Sequence, residues 1–463
     1  MNLWNVYDKK QLKELELFAK DYRDFLDAGK TERECVDIII NLIEQQGYVE
    51  LAKLQKENKK IMPGDRVYAV KMDKSVILYQ IGAAPMEKGM NILGAHIDSP
   101  RLDIKMNPLY EEGGFVYMDT HYYGGIKKYQ WVTIPLSLHG VVVKKDGTTV
   151  ILNIGEDEDD PVFFISDLLV HLASEQLEKK AAKVIEAEAL DIIVGSKPVV
   201  INEGNSKDAV KKGILAILKD TYDIEEEDFV SAELEVVPAG LAREVGFDRS
   251  MIMAYGQDDR VCAFAALRAI LEMQNNKDDR TCCCILTDKE EIGSVGATGM
   301  RSHFFYDTTA EVMNLKEAYH DLLLRRCMEN SNMLSCDVTS AFDPTYCAEF
   351  DKNNVAYFGK GIVIKKFSGI KGKSGTNDAN AEYIGKIRGI FEQAGILSQS
   401  SEMGKVDVGG GGTIAYMLAL YGMNVVDMAV PLLNMHAPYE VTSKSDLYET
   451  MRGYKAFLEE MAE

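Results

Sequence analysis

Carboxylates and imidazoles recur at one kind of position in this sequence. His96 follows an apolar run over residues 91–95, and Glu290 with Glu291 comes just after the run 282–287. Asp337 ends the run 333–336, and His436 follows residues 425–435. Short apolar runs bounded by glycine, proline or charge read as buried strands. An open α/β sheet binds its ligands in the crevice outside the carboxyl ends of its strands, so one sheet could deliver all these side chains to one crevice. Imidazoles and carboxylates without thiolates suit zinc, cobalt or manganese. Asp98, two residues beyond His96, could accept a hydrogen bond from a metal-bound imidazole and fix its orientation. In Glu290-Glu291 one side chain could face a metal while the other serves as a free base, since neighbours on extended backbone point in opposite directions. Each residue also has an ordinary reading. A histidine at a strand end is more often hydrogen-bonded scaffold than ligand; Glu290-Glu291 alone is an acidic turn, and Asp258-Asp259 alone a solvated loop.

The runs that would position these residues belong to an interrupted α/β rhythm. Residues 8–60 are rich in Lys, Glu and Leu at helical spacing, and beyond Gly64 the period shifts to short strands at 67–70, 76–81 and 91–97. From 107 to 235 the sequence is densely β-type, with strands expected at 115–118, 132–138, 141–143 and 150–154, an acidic loop at 156–160 and one helix over 166–177. The α/β alternation then returns: helix 261–273, strand 282–287, helix 307–316, strand 333–337, strand 425–430 and helix 443–461. The expected architecture is α/β, a catalytic domain in two parts (1–106 and 237–463) interrupted by a β-rich insertion over 107–236.

Composition narrows the function classes. With 463 residues, 46% hydrophobic and 27% charged, the chain has material for more than one domain. A net charge of −21 repels nucleic acid and anionic membrane surfaces. No apolar run approaches the ~18 residues of a membrane span, and the early charges Asp8, Lys9 and Lys10 do not fit a secretory signal. The eight cysteines form no framework, and Cys282, Cys283 and Cys284 sit inside an apolar run as buried strand residues. A reducing, cytoplasmic setting is expected. Residues 409–412 are all glycine but lack the flanking pattern of a nucleotide-binding loop. His121, His139, His303 and His320 have no chemical context.

Four blocks together are far more specific than any one alone: His96-Ile97-Asp98-Ser99-Pro100-Arg101, Asp258-Asp259-Arg260, Asp288-Lys289-Glu290-Glu291-Ile292-Gly293-Ser294 and Met435-His436. In order and spacing the chain resembles the aspartyl aminopeptidase/vacuolar aminopeptidase I family, dinuclear metallopeptidases among the co-catalytic zinc exopeptidases, over nearly its whole length. The resemblance implies a mixed-sheet, zinc-exopeptidase-like catalytic domain with an inserted β-rich dimerisation domain. It implies removal of the N-terminal residue of peptides by a water held between two divalent metal ions per subunit, zinc first, with cobalt or manganese as alternatives. His96 and Asp337 would complete one metal, Glu291 and His436 the other, and Asp258 would bridge both. Glu290 would be the general base and Asp98 the orienter of His96. The Asp258–Asp259 peptide bond would be cis. His171, in a stretch like the family's insertion-domain helix, would reach a neighbouring subunit's active site. Lys365 stands where the family carries a lysine suited to an acidic N-terminal side chain, so acidic or broad specificity is implied, though some relatives prefer neutral residues and an exposed strand-edge lysine would look the same. The implied assembly is a homo-oligomer, dimers arranged as a tetrahedral dodecamer. The rival readings are a related dinuclear hydrolase (a carboxypeptidase or N-acyl amino acid deacylase) and a catalytically silent, shell-forming scaffold.

Overall fold

The computed structural model describes residues 1–199, 208–273 and 280–461. The contacts divide the chain into two compact units. One comprises Met1–Asp98, Ala242–Met435 and Glu440–Glu463; the other comprises Ser99–Leu241 and His436–Tyr439. Positions 107 and 236 lie within the strands Arg101–Glu112 and Ala232–Pro238 of the second unit.

The first unit is built on a mixed sheet with twelve strands among the described residues. Its centre is four mutually parallel strands in the order Cys282–Thr287, Asn91–His96, Asn332–Ser340 and Asn424–Leu433. Every position of Asn91–His96 and of Cys282–Thr287 is buried. That explains the unbroken apolar runs, because a parallel strand is covered on both faces. Alternate side chains go to opposite cores, as a pleated strand requires. Cys282, Cys284 and Leu286 join Leu93, Ala95 and residues of the helices Lys9–Ala28, Gln257–Glu272 and Lys444–Glu460. Cys283 and Ile285 join Ile92 and residues of the helices Phe304–Lys316 and Asp321–Glu329. Helices thus cover both faces of the sheet. The cysteines are free thiols.

The second unit holds an antiparallel sheet, in the order Thr149–Ile154, Leu136–Val143, Ala232–Pro238, Arg101–Glu112, Phe115–Tyr123 and Ile192–Gly195. Here the sequence misled in two places. The runs 132–138 and 141–143 are not two strands, since one strand, Leu136–Val143, passes through Gly140. Gly140 has φ +127°, and a Cβ there would meet the Glu233 carbonyl oxygen at 2.0 Å. The glycine permits close approach of the neighbouring strand; it is not a break.

The helix expected over 166–177 is absent. Residues 166–169 are irregular, Val170–Leu172 form a 3-10 turn, and only Ser174–Leu177 are α-helical. Asp167 accepts hydrogen bonds from the Leu168 N–H and from Gln176 Nε2, both at 2.8 Å, which turns the chain locally. Leu168, Leu169, Val170 and Leu172 are exposed, so no apolar face is buried to support a longer helix. Among the described residues no helix is long and apolar enough to cross a membrane.

Candidate metal centre

The parallel strands bring the candidate residues of the first unit together at their carboxyl ends. His96 ends its strand opposite Thr287, so the chain leaves towards Glu290 and Glu291 beside the imidazole. On the other side Ser335 lies opposite Gly94, and two residues further on stand Asp337 and His96. Asp258 comes from a turn at the start of the helix Gln257–Glu272. Gly256 (φ +70°) leads into it, Asp258 and Asp259 depart from helical geometry, and the bond between them is cis.

These placements converge on His96 Nε2. Asp258 Oδ1 lies 3.3 Å away, Asp337 Oδ1 3.9 Å and Glu290 Oε2 4.0 Å. Donor atoms of His96, Asp258 and Asp337 all lie within 4.8 Å of one another, as do those of Asp258 and Glu291. The opposite ring nitrogen, Nδ1, is 3.0 Å from the Asp98 backbone oxygen and 3.3 Å from its Oδ1. Asp98 also accepts the backbone N–H of Glu290 at 3.1 Å and that of Glu291 at 3.2 Å. One carboxylate therefore ties the imidazole to the two-glutamate turn.

That turn is not extended. Lys289 is left-handed (φ +69°) and Glu290–Ile292 form a 3-10 turn. Consecutive side chains there diverge by about 120°, as three residues per turn requires, and not by the half-turn of a strand. Glu290 and Glu291 still point in different directions, for a different reason.

The electrostatics fit a cation. Burial pushes the Glu290 carboxyl up to about 8; His96 opposes this, while Asp337, Asp98 and Asp258 add to it. Burial likewise lifts Asp337 to about 7, with His96 and Lys365 opposing and Asp258 adding. Burial alone would lower the His96 pKa, but its bonds to Asp258 and Asp98 outweigh this and hold it well above the ordinary value. Buried carboxylates that must keep protons for want of positive charge are a donor set for a divalent cation, and nitrogen and oxygen donors without sulfur suit zinc.

The remaining candidates fall elsewhere. His436 belongs to the short segment of the second unit, where its Nδ1 lies 2.8 Å from the Gly125 carbonyl oxygen. His171 is exposed, with no hydrogen bond or ion pair among the described residues. Lys365 is not the exposed strand-edge residue that its sequence allowed. It is 2% exposed, lies opposite Asp427 in the pairing with Asn424–Leu433, and donates to the Val338 carbonyl at 3.4 Å. It also lines a cavity of about 250 Å³ with Ser368, Lys373, Met403 and Gly410.

Two supports had no signal in the sequence. Glu440, which is buried, accepts the Asp258 N–H at 3.0 Å across 182 residues. Gln257 Nε2 donates to the Glu440 carbonyl at 2.6 Å, and the Tyr22 hydroxyl donates to Gln257 Oε1 at 3.2 Å.

Comparison with known proteins identifies the family. Residues 25–458 match the family model described as aminopeptidase I zinc metalloprotease (M18). A Clostridium acetobutylicum protein described as a probable M18 family aminopeptidase 1 is 56% identical over 457 residues, covering 99% of this chain and 97% of that one. The crystal structure of an M18 family aminopeptidase from Thermotoga maritima superposes with a TM-score of 0.93 at 42% identity, covering 100% of this chain and 99% of that one. That of aminopeptidase I from Clostridium acetobutylicum gives 0.91 at 54% identity, covering 99% and 98%. The strand-end histidine and carboxylates described above thus belong to a member of the M18 family of zinc metalloaminopeptidases.

Proposed function

We propose that this aminopeptidase works with two divalent ions, zinc first. His96 and Asp337 would hold one ion, Glu291 and His436 the other, and Asp258 would bridge them. The observation that carries this reading is the convergence of Asp258, Asp337 and Glu290 on His96 Nε2, within 4.0 Å. When bound, such a pair supplies Lewis acidity, lowering the pKa of water from ~15.7 towards ~7 and polarising the scissile carbonyl. Glu290 takes the proton of the attacking water and delivers it to the leaving amine. Asp98 fixes the His96 ring and, through two backbone N–H groups, the turn that carries the base. The substrate is the free N-terminus of a peptide, whose cationic amine suits an anionic site. Amine release from Asp-, Leu- and acetyl-Leu-anilides, with and without chelator, tests this. Chelator-sensitive release from the two free-amine substrates is expected. Release from acetyl-Leu-anilide would point to a deacylase or another dinuclear hydrolase, and no release at all to a silent scaffold.

The preferred N-terminal residue is read as acidic or broad, with Lys365 discriminating. Its burial beside a cavity supports this, because a desolvated ammonium gains most from an incoming carboxylate. Losing a desolvated charge pair costs several kcal/mol, so Lys365→Met should lower kcat/KM for Asp-anilide by at least ~10²-fold and spare Leu-anilide. Equal losses on both would make Lys365 purely structural, and a wild-type preference for Leu would overturn the acidic reading.

His171 is read as acting in trans, within dimers that assemble into a tetrahedral dodecamer. The exposed apolar residues around it (Val170 is 70% exposed, Leu172 68%) support burial against another copy. Mixing inactive Glu290→Gln subunits with His171→Ala subunits should restore activity in hybrid dimers. Confirmed hybrids without any rescue would remove His171 from the site.

A further inference from the structure

The turn that carries Glu290 belongs to a segment, residues 288–301, that closes on itself at two necks. At the first, the buried Asp288 carboxylate accepts the Thr298 hydroxyl at Oδ2 and lies 3.2 Å from Lys289 Nζ. The Thr298 carbonyl accepts the hydroxyls of Ser75 at 2.6 Å and of Thr287 at 3.1 Å. Ser75 Oγ in turn accepts the Asp288 N–H at 3.2 Å. At the second neck the Lys289 carbonyl accepts the Ser294 N–H at 2.6 Å, and the Ser294 carbonyl accepts the Arg301 N–H at 3.2 Å. Gly299 packs there so closely that a Cβ would meet the Ser294 carbonyl oxygen at 2.3 Å. Asp288 directly follows the strand Cys282–Thr287, and the proposed base is two residues on, across the left-handed Lys289.

Asp288 is a costly way to close a neck. Burial pushes its carboxyl up to about 6; Glu32 and Asp98 add to this, and Thr298 and Lys289 only partly oppose it. An asparagine would avoid the expense of a buried charge, but it would hold the hydroxyl more weakly and lose the ion pair with Lys289. We propose that Asp288 is a positioning residue for the reaction. With Thr298 and Ser75 it fixes where the turn leaves the sheet, and so where the Glu290 carboxylate stands relative to His96 Nε2. Asp98 grips the same turn from its other side, through the N–H groups of Glu290 and Glu291. Asp288 acts through Glu290, and the inference rests on Glu290 being the general base.

The test uses the metal-loaded enzyme carrying Asp288→Asn, Thr298→Val or Thr298→Ser, and Asp288→Asn combined with Glu290→Gln. Displacing a reacting group by a fraction of an ångström to 1 Å costs roughly 10- to 100-fold. Asp288→Asn and Thr298→Val should therefore lower kcat by about that factor, with KM, bound metal and folded fraction unchanged. Thr298→Ser, which keeps the hydroxyl, should keep kcat. In the Glu290→Gln background Asp288→Asn should lower the residual rate less than about twofold, since residues acting through one another are not additive. Three results would overturn the proposal: an unchanged kcat, a loss that tracks lost metal or lost fold, or the same fold-change in both backgrounds. A fully active Glu290→Gln enzyme would overturn the base assignment and this proposal with it. Normal kcat in Asp288→Asn beside an inactive Glu290→Gln would overturn this proposal alone.

Discussion

Glu290→Gln should bind the metal ions as the wild type does and lose nearly all turnover. The substitution keeps the shape and the backbone N–H to Asp98 but removes the group that accepts the water's proton. General-base catalysis typically contributes ~10²–10⁴-fold, so the residual kcat should lie at or below about a hundredth of wild type. Metal content measured on the same preparation separates lost chemistry from lost binding. Retention of more than about a tenth of the rate would fall outside the range of general-base effects and remove Glu290 from that role.

Loss of a ligand should act at an earlier step. Asp258→Asn removes the one carboxylate charge assigned to both ions, and His436→Ala removes the imidazole assigned to one. Each should purify with less metal and be inactive until metal is supplied in excess, and full metal content in either variant would contradict the ligand assignment. Proton competition gives the same assignment a pH signature. Asp337 is lifted to about 7 in the metal-free chain, so it must release its proton when metal binds. Metal affinity should accordingly weaken below about pH 7, by about tenfold per pH unit for each proton displaced. The stability of the metal-free chain should change in the opposite sense. A carboxyl whose folded pKa is raised contributes stability at low pH and loses it as pH rises through that value. The Tm of the metal-free protein should therefore fall between about pH 4 and pH 8, and loading with zinc should offset the fall.

Much of the candidate site could be placed on the sheet before the fold was known, for a physical reason. Strands buried on both faces leave long apolar runs, and a charged residue that ends such a run marks the end of its strand. His96 and Glu290 are of this kind, whereas Asp337 lies inside the strand Asn332–Ser340, which runs three residues beyond it. The strand Cys282–Thr287 has the bounds its sequence suggested, because alternate side chains enter two separate cores and Cys282 through Leu286 are all apolar. What escaped the sequence depends on distant partners or on backbone geometry. The helix expected from residue 261 is regular only beyond Asp259; what had no local signal is the turn before it, where Asp258 and Asp259 are held out of helical geometry while Glu440 takes the Asp258 N–H. The Glu290–Ile292 turn was read as extended because two adjacent glutamates carry no helical period of their own. Lys365 has the same local sequence whether it is exposed or buried, and only its pairing opposite Asp427 places it inside. The helix expected around His171 does not form, and among the described residues Leu168, Leu169, Val170 and Leu172 are left exposed.

The central claim is that catalysis needs two divalent ions and Glu290 together. Its most direct test strips the purified enzyme with chelator and titrates zinc back, following Leu- and Asp-anilide cleavage against bound zinc per chain, with Glu290→Gln carried in parallel. Cleavage should be absent without metal and reach its plateau at two bound zinc ions per chain. Glu290→Gln should follow the same binding curve with almost no rate. Full activity in the stripped enzyme, a plateau at a single ion, or a Glu290→Gln enzyme that recovers with metal would contradict it.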